Sequence, residues 1–130
     1  MTPNITTTLT VEEWLKVLHN PKLSTPKSLQ ILLTVYRSPN HQNRAGIIGE
    51  QMGYTKSPHS TINMMVGRYS QKIHRHYGEQ LLFNRRGNGT FQWWMLFFEG
   101  WWQQETNYFI WRLKPKLCQA LEKSGLLENE

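Results

Sequence analysis

Ser60, Asn63, Met64, Gly67, Arg68, Gln71 and Arg75 recur at three- and four-residue steps. On a helix such a set falls along one side. It offers hydroxyl, amide and guanidinium groups, the types that hydrogen-bond base edges and phosphate oxygens. Ile62, Met65, Val66, Tyr69, Ile73 and Tyr77 make a second stripe at the same spacing, apolar throughout. A helix with an apolar back and a polar, cationic front has the form of one whose N-terminal half enters a DNA major groove. Gly67 on that front costs about 1 kcal/mol of helix propensity relative to Ala. Close approach of the helix backbone to something large would explain it.

The neighbouring signals predict how this helix is held. Ser57 is its expected N-cap and Pro58 its first residue, where a missing N–H costs nothing. A shorter helix over residues 43–53 precedes it and closes at Gly53, a residue suited to the left-handed turn. Together they read as a helix-turn-helix. Thr25-Pro26 starts a supporting helix with Leu29, Leu32, Leu33 and Tyr36 as its buried stripe, and Ser38-Pro39-Asn40 ends it. His41 and Gln42 fall in the connecting loop.

Beyond Gly78 the periodicity changes. Leu81-Leu82-Phe83 is a short strand candidate, and Asn84-Arg85-Arg86-Gly87-Asn88-Gly89 is a turn rich in residues that tolerate positive φ. Residues 90–99 form a near-continuous aromatic run that Gly100 is expected to break. Residues 101–107 read as a polar loop, and residues 108–113 as the last strand. Helix-turn-helix followed by hairpin predicts an α+β fold, a winged helix-turn-helix. The wing tip is expected at residues 84–89 or at residues 101–107, and the first is the better candidate, because Arg85 and Arg86 can reach phosphate or minor groove. A helix capped by Thr10 and Glu13 precedes the unit and stops at Asn20-Pro21, with Trp14 as a core anchor. A helix from Lys114-Pro115 to Gly125 closes it. The expectation is one domain over residues 1–130, with residues 1–9 loose.

The charge is uneven. The net charge is +6, and between Thr55 and Arg86 six basic residues face Glu79 alone, while the remainder holds nine basic and eight acidic residues. Phosphate binding needs such a concentration. Ser60, Thr61, Asn63, Met64 and Arg68 are therefore the expected base-edge or adjacent phosphate contacts. Lys56, Lys72, Arg75, Arg85 and Arg86 are the expected phosphate neutralisers, with Ser57, His59, Gly67, Gln71 and Asn88 on the same surface. The partner expected is double-stranded DNA.

Five of the six tryptophans, Trp93, Trp94, Trp101, Trp102 and Trp111, fall within twenty residues. Adjacent residues of a strand face opposite ways, so Trp93 and Trp94 cannot both be core there, nor Trp101 and Trp102 if extended. Exposed members of this set can stack on an unpaired base, contact a pyrimidine methyl group, or form a protein interface. Catalytic constellations are weak. There is no Asp, His74 and His76 are poorly spaced for one metal, and Glu99 and Glu105 lack a nucleophile or ligand set beside them. The single Cys118 excludes an internal disulfide and argues against a cysteine zinc site. No signal peptide and no spanning segment are evident. A cytoplasmic, non-catalytic chain without cofactor or metal is expected.

Thr61-Ile62-Asn63, Val66-Gly67-Arg68-Tyr69, Ile73, Trp93-Trp94, Leu96-Phe97, Gly100, Phe109, Trp111-Arg112-Leu113-Lys114-Pro115, Leu117, Ala120-Leu121 and Gly125-Leu126 form a scattered pattern. It resembles the N-terminal module of bacterial HNH-type endonucleases of modification-dependent restriction, a form of bacterial defence. The resemblance covers roughly residues 44–127. It implies that a separate HNH domain, absent from this sequence, would cut DNA while this module chooses the target. It also implies a modified-cytosine target such as 5-methylcytosine. Asn63, Gly67 and Arg68 would then lie at the recognition surface, and Trp93 and Trp94 near the hairpin. Two rival expectations are a free-standing winged-helix repressor and a protein-interaction module that uses the tryptophan-rich hairpin.

Overall fold

Thr10 opens the first helix by a reciprocal cap. Its Oγ1 accepts from the Glu13 N–H at 3.1 Å, and its own N–H donates to Glu13 Oε1 at 2.9 Å. The computed structural model describes residues 9–77 and 92–128, and the expectations for residues 1–8, 78–91 and 129–130, including Arg85, Arg86, Asn88 and the preferred wing, lie outside them. In chain order the elements are α1 (Val11–Leu18), α2 (Pro26–Tyr36), β1 (Gln42–Asn43), α3 (Ala45–Gln51), α4 (Pro58–Tyr77), β2 (Phe98–Gln103), β3 (Tyr108–Leu113) and α5 (Pro115–Ser124). The three strands form one antiparallel sheet in the order β1-β3-β2.

The turn between α3 and α4 follows from two glycines. Gly53 takes φ +94°, its N–H bonds the Glu50 carbonyl at 3.0 Å, and the Tyr54 N–H bonds the Gly49 carbonyl at 2.9 Å. This paired capping pattern ends a helix by using its orphan carbonyls. Gly49 itself faces Pro58, and a Cβ there would lie 2.6 Å from the Pro58 Cβ. The absence of a side chain lets α3 and α4 touch backbone to backbone. Ser57 departs from the extended conformation of an ordinary N-cap, with φ +47°. The chain must reverse within residues 52–57 while Pro58 stays against Gly49, and a left-handed Ser57 completes that reversal.

Three expectations need correction. The buried side of α2 is Ile31, Leu32 and Val35, with Leu29, Leu33 and Tyr36 only half-buried. Apolar residues surround this helix on several sides, so its spacing admits more than one stripe. The aromatic run is not one strand broken by Gly100. Trp93–Leu96 is a 3-10 turn, and β2 runs through Gly100 to Gln103. Successive residues of a 3-10 turn fan out around its axis. Leu96 therefore enters the core while Trp93, Trp94 and Met95 stay half-buried. Residues 101–103, expected in a loop, are strand. Finally, Gln42 and Asn43, expected in a loop and at a helix start, pair with Arg112 and Trp111. Two residues are too few to show a strand period.

One core joins these elements. Trp14, Phe97 and Tyr69 are all buried, with Phe97 5.7 Å from the Trp14 ring and 4.8 Å from that of Tyr69. The Tyr69 hydroxyl is hydrogen-bonded to Ser24 Oγ, which itself donates to the Val17 carbonyl at 2.7 Å. Burial pushes the Tyr69 phenol well above its ordinary pKa. Cys118 is also buried, and desolvation raises its thiol to about 11, so it stays protonated and unreactive near neutral pH. Gly125 takes φ +83° and closes α5 where its position predicted. Among the described residues no helix is long and apolar enough to cross a membrane.

Candidate nucleic-acid interface

The hydrophobic back of α4 fixes which way its front looks. Ile62, Val66, Tyr69 and Ile73 are buried, and Met65 and Tyr77 are half-buried. Ser60, Met64, Arg68 and Arg75 are exposed on the opposite side, with Gly67 and Gln71 among them. Met64 is 47% exposed, an apolar group on an otherwise polar face. Lys56, Ser57 and His59 are exposed at the start of the helix. Thr61 and Lys72, both half-buried, fall by helical spacing on the flank of this face. From Met52 to Tyr77 the chain carries no acidic residue, so nothing on this segment offsets Lys56, Arg68, Lys72 and Arg75.

Gly67 is open. A Cβ built there meets no described atom within 4 Å. The residue is therefore not required by packing within the described chain. Gly67→Ala is expected to stabilise the fold by up to about 1 kcal/mol, read as a rise of about 3–5 °C in melting temperature by circular dichroism. A fall would show that the position is packed after all.

Beside α4 the hairpin supplies a wall. The register pairs Gly100 with Trp111 and Trp102 with Phe109, and directly paired residues share a sheet face. Phe98, Gly100, Trp102, Phe109, Trp111 and Leu113 therefore look one way, toward the helices. Nearer the core Phe98 and Trp111 stack at 4.7 Å and are buried. Toward the tip Trp102 overhangs and is 64% exposed. Trp94 packs edge-on to Phe109 at 5.2 Å, as does Trp102. Gly100 makes this possible: a Cβ there would lie 2.7 Å from Phe109 and 2.8 Å from Trp94.

Two clefts result, and Asn63 and Trp94 border both. One, of about 450 Å³, runs along the helix front past Met64, Gly67, Arg68, Gln71 and Trp93. The other, of about 330 Å³, lies between His59 and Asn63 on α4 and Trp94, Trp102, Phe109 and Trp111 opposite, with Ala45 and Gln92 also lining it. Asn63 Nδ2 donates to the His59 carbonyl at 3.0 Å, leaving its second N–H and its Oδ1 for other partners.

Most of the expected site residues on α4 thus come together on one surface, with Thr61 and Lys72 at its flank, and Trp93, Trp94 and Trp102 join them. Trp101 does not. It stands on the opposite sheet face, near the Arg112 guanidinium at 5.2 Å, and Arg112 is paired with Glu99 at 2.9 Å. Glu99 is thus ion-paired with a cation on the neighbouring strand. The hairpin turn at residues 104–107, the second wing candidate, carries Glu105 and no cation, so it is poorly suited to phosphate. His74 meets the Trp93 ring edge-on and His76 that of Tyr77, in separate surroundings. Among the described residues no group of three His, Cys or Glu could hold a metal ion.

Sequence reasoning missed Phe109, Gln92 and Arg44. Phe109 was legible from its two-residue step to Trp111 once the register is known. Arg44 precedes α3 and lies 3.8 Å over the Tyr108 ring, a cation held beside the hairpin tip. Comparison with protein families, curated proteins and solved structures finds no match to this chain.

Proposed function

We propose that this chain is a non-catalytic double-stranded DNA-binding domain that lays the first half of α4 in the major groove. The observation that carries this reading is the outward face of α4, polar and cationic, open at Gly67, and free of acidic residues from Met52 to Tyr77. Phosphate contact calls for that electrostatic arrangement. The chain order supports it. Helix α2, strand β1, helices α3 and α4, then the β2–β3 hairpin, with sheet order β1-β3-β2, is the order of a winged helix, in which the second helix of the tight pair is the reading helix. Ser60, Asn63, Met64 and Arg68 contact bases or adjacent phosphates, and Lys56, Lys72 and Arg75 neutralise phosphate.

The resemblance to the front modules of HNH-type endonucleases supports a target-choosing role beside a nuclease domain, with modified cytosine as the feature read. Met64 and Trp93, which both line the larger cleft, are apolar groups suited to a 5-methyl group in the major groove. The exposure of Trp102 and Tyr108 at the hairpin tip favours a second reading, a protein-interaction surface. Binding that is insensitive to salt, with no DNA complex, would belong to that reading.

Fluorescence anisotropy with methylated and unmethylated forms of one duplex pool tests the proposal. Four cations, Lys56, Arg68, Lys72 and Arg75, set an expected slope of log affinity against log salt of about −3 to −4. Preference for the methylated pool supports the modification reader. Equal affinities leave a general binder or a repressor, and a repressor would also be dimeric on a palindromic site. No binding at low salt refutes the proposal. Asn63→Ala should cost about 1–3 kcal/mol on the preferred site and little on random DNA. Lys72→Ala should weaken all sequences alike and reduce the slope by about one. Equal losses on both DNAs for Asn63→Ala would remove its base-reading role.

A further inference from the structure

We infer that the smaller cleft, between α4 and the hairpin tip, receives a single unpaired nucleobase from the bound DNA. This rests on the DNA-binding reading above, and it names a ligand for a cleft that shares only Asn63 with the residues assigned to groove contact.

The cleft's shape and chemistry favour a base over other ligands. At about 330 Å³ it stands at the small end of ligand sites, suited to one flat ring system and not to a base pair. Trp94, Trp102 and Phe109 wall it with aromatic rings, and Trp102 contacts no described ring except Phe109. Every base has a π-face, so such walls bind bases without regard to sequence. Asn63 and Gln92, which also line it, each carry both donor and acceptor atoms, as the Watson–Crick edge of an extruded base demands. A cationic ligand fits less well. No carboxylate is among the described lining residues, and Arg44, over the Tyr108 ring near this tip, is a nearby cation.

Position completes the argument. His59 and Asn63 belong at once to this cleft and to the N-terminal half of α4. A duplex seated on the Met64–Arg68 surface therefore runs past the cleft mouth. The cationic side chains of α4 hold the phosphates while one nucleotide turns out of the stack. Gly100 keeps the cleft formed, because a side chain there would collide with both Phe109 and Trp94.

The test compares three duplexes of one sequence with the full chain: fully paired, with one bulged nucleotide, and with an abasic residue at the same bulge. The two bulges share their backbone path, so the difference between them isolates the base. The expected result is affinity at least ten-fold higher for the base bulge than for the abasic one. Trp102→Ala, at an exposed position that folding tolerates, should remove most of that preference, a loss of roughly five- to a hundred-fold for the base bulge. Any loss for the abasic and paired duplexes, which place no base against this ring, should be much smaller. Trp101→Ala, on the opposite sheet face, should keep the preference. Equal affinity for base and abasic bulges overturns the cleft assignment while DNA binding stands. A preference that survives Trp102→Ala, or is lost equally in Trp101→Ala, also overturns it. Failure to bind any duplex at low salt removes the underlying DNA reading as well.

Discussion

Phe97→Ala should destabilise the protein by about 3–5 kcal/mol, as large aromatic-to-alanine changes in cores do. Phe97 is fully buried and contacts the rings of Trp14 from α1, Tyr69 from α4 and Phe98 from β2. Its carbonyl accepts the Lys114 N–H at 3.1 Å, just before α5. One residue thus ties α1, α4, the hairpin and α5. No single neighbour can collapse into the space left by its ring without leaving another contact. Domains of this size hold about 5–15 kcal/mol in all, so the loss is a large share. Urea unfolding should show a much lower midpoint, and melting should fall on the order of 10–20 °C. A shift under about 1 kcal/mol would show that the aromatic cluster is not where the fold's stability lies. Trp102→Ala, exposed at the hairpin tip, is the contrasting variant and should scarcely move the midpoint.

The sequence places Phe97 in an aromatic run but cannot say that it is the hub. Leu96, Phe97 and Phe98 are all buried, and three buried residues in a row have neither the helical nor the strand period. A 3-10 turn running into a strand produces that pattern, and only the packing around it decides where one becomes the other. Elements whose ends are marked by local chemistry were legible. The Thr10–Glu13 cap, Pro26, Pro58 and Pro115 at helix starts, and Gly53 and Gly125 at helix ends act within a few residues of themselves. The front of α4 was legible for the same reason, since one long helix carries it whole. The aromatic cleft was not. It depends on the pairing of Trp102 with Phe109 and on the gap at Gly100, and register between distant strands leaves no trace in local spacing. Gly100 was read as a breaker because glycine is rare inside strands. Its role is instead to let two rings approach the sheet.

Gly49→Ala should damage stability and, if the chain binds DNA as proposed, that binding too, because it acts at the joint that aims α4. The added Cβ would stand 2.6 Å from the Pro58 Cβ and 2.7 Å from the Pro58 carbonyl oxygen. Backbone atoms cannot swing aside as a side-chain tip can, so α3 and α4 must separate. Overpacking of this kind costs about 1–3 kcal/mol. The Tyr54 N–H bond to the Gly49 carbonyl would be strained with it. Gly46→Ala, one turn earlier on α3, is the control. Its Cβ would meet only the Arg44 guanidinium, at 2.9 Å, and the His59 Cβ at 4.0 Å, and the Arg44 head can rotate away. Stability should then change by less than about 0.5 kcal/mol. The two variants add the same methyl group to the same helix and differ in what it strikes. If α4 reads bases, Gly49→Ala should lose preference for the selected site more than affinity for random DNA, because a tilted helix keeps its cations near phosphate and loses its register with bases. An unchanged urea midpoint for Gly49→Ala would mean that α3 and α4 do not cross this closely. A reduced midpoint with preference intact would mean that the aim of α4 does not depend on that crossing.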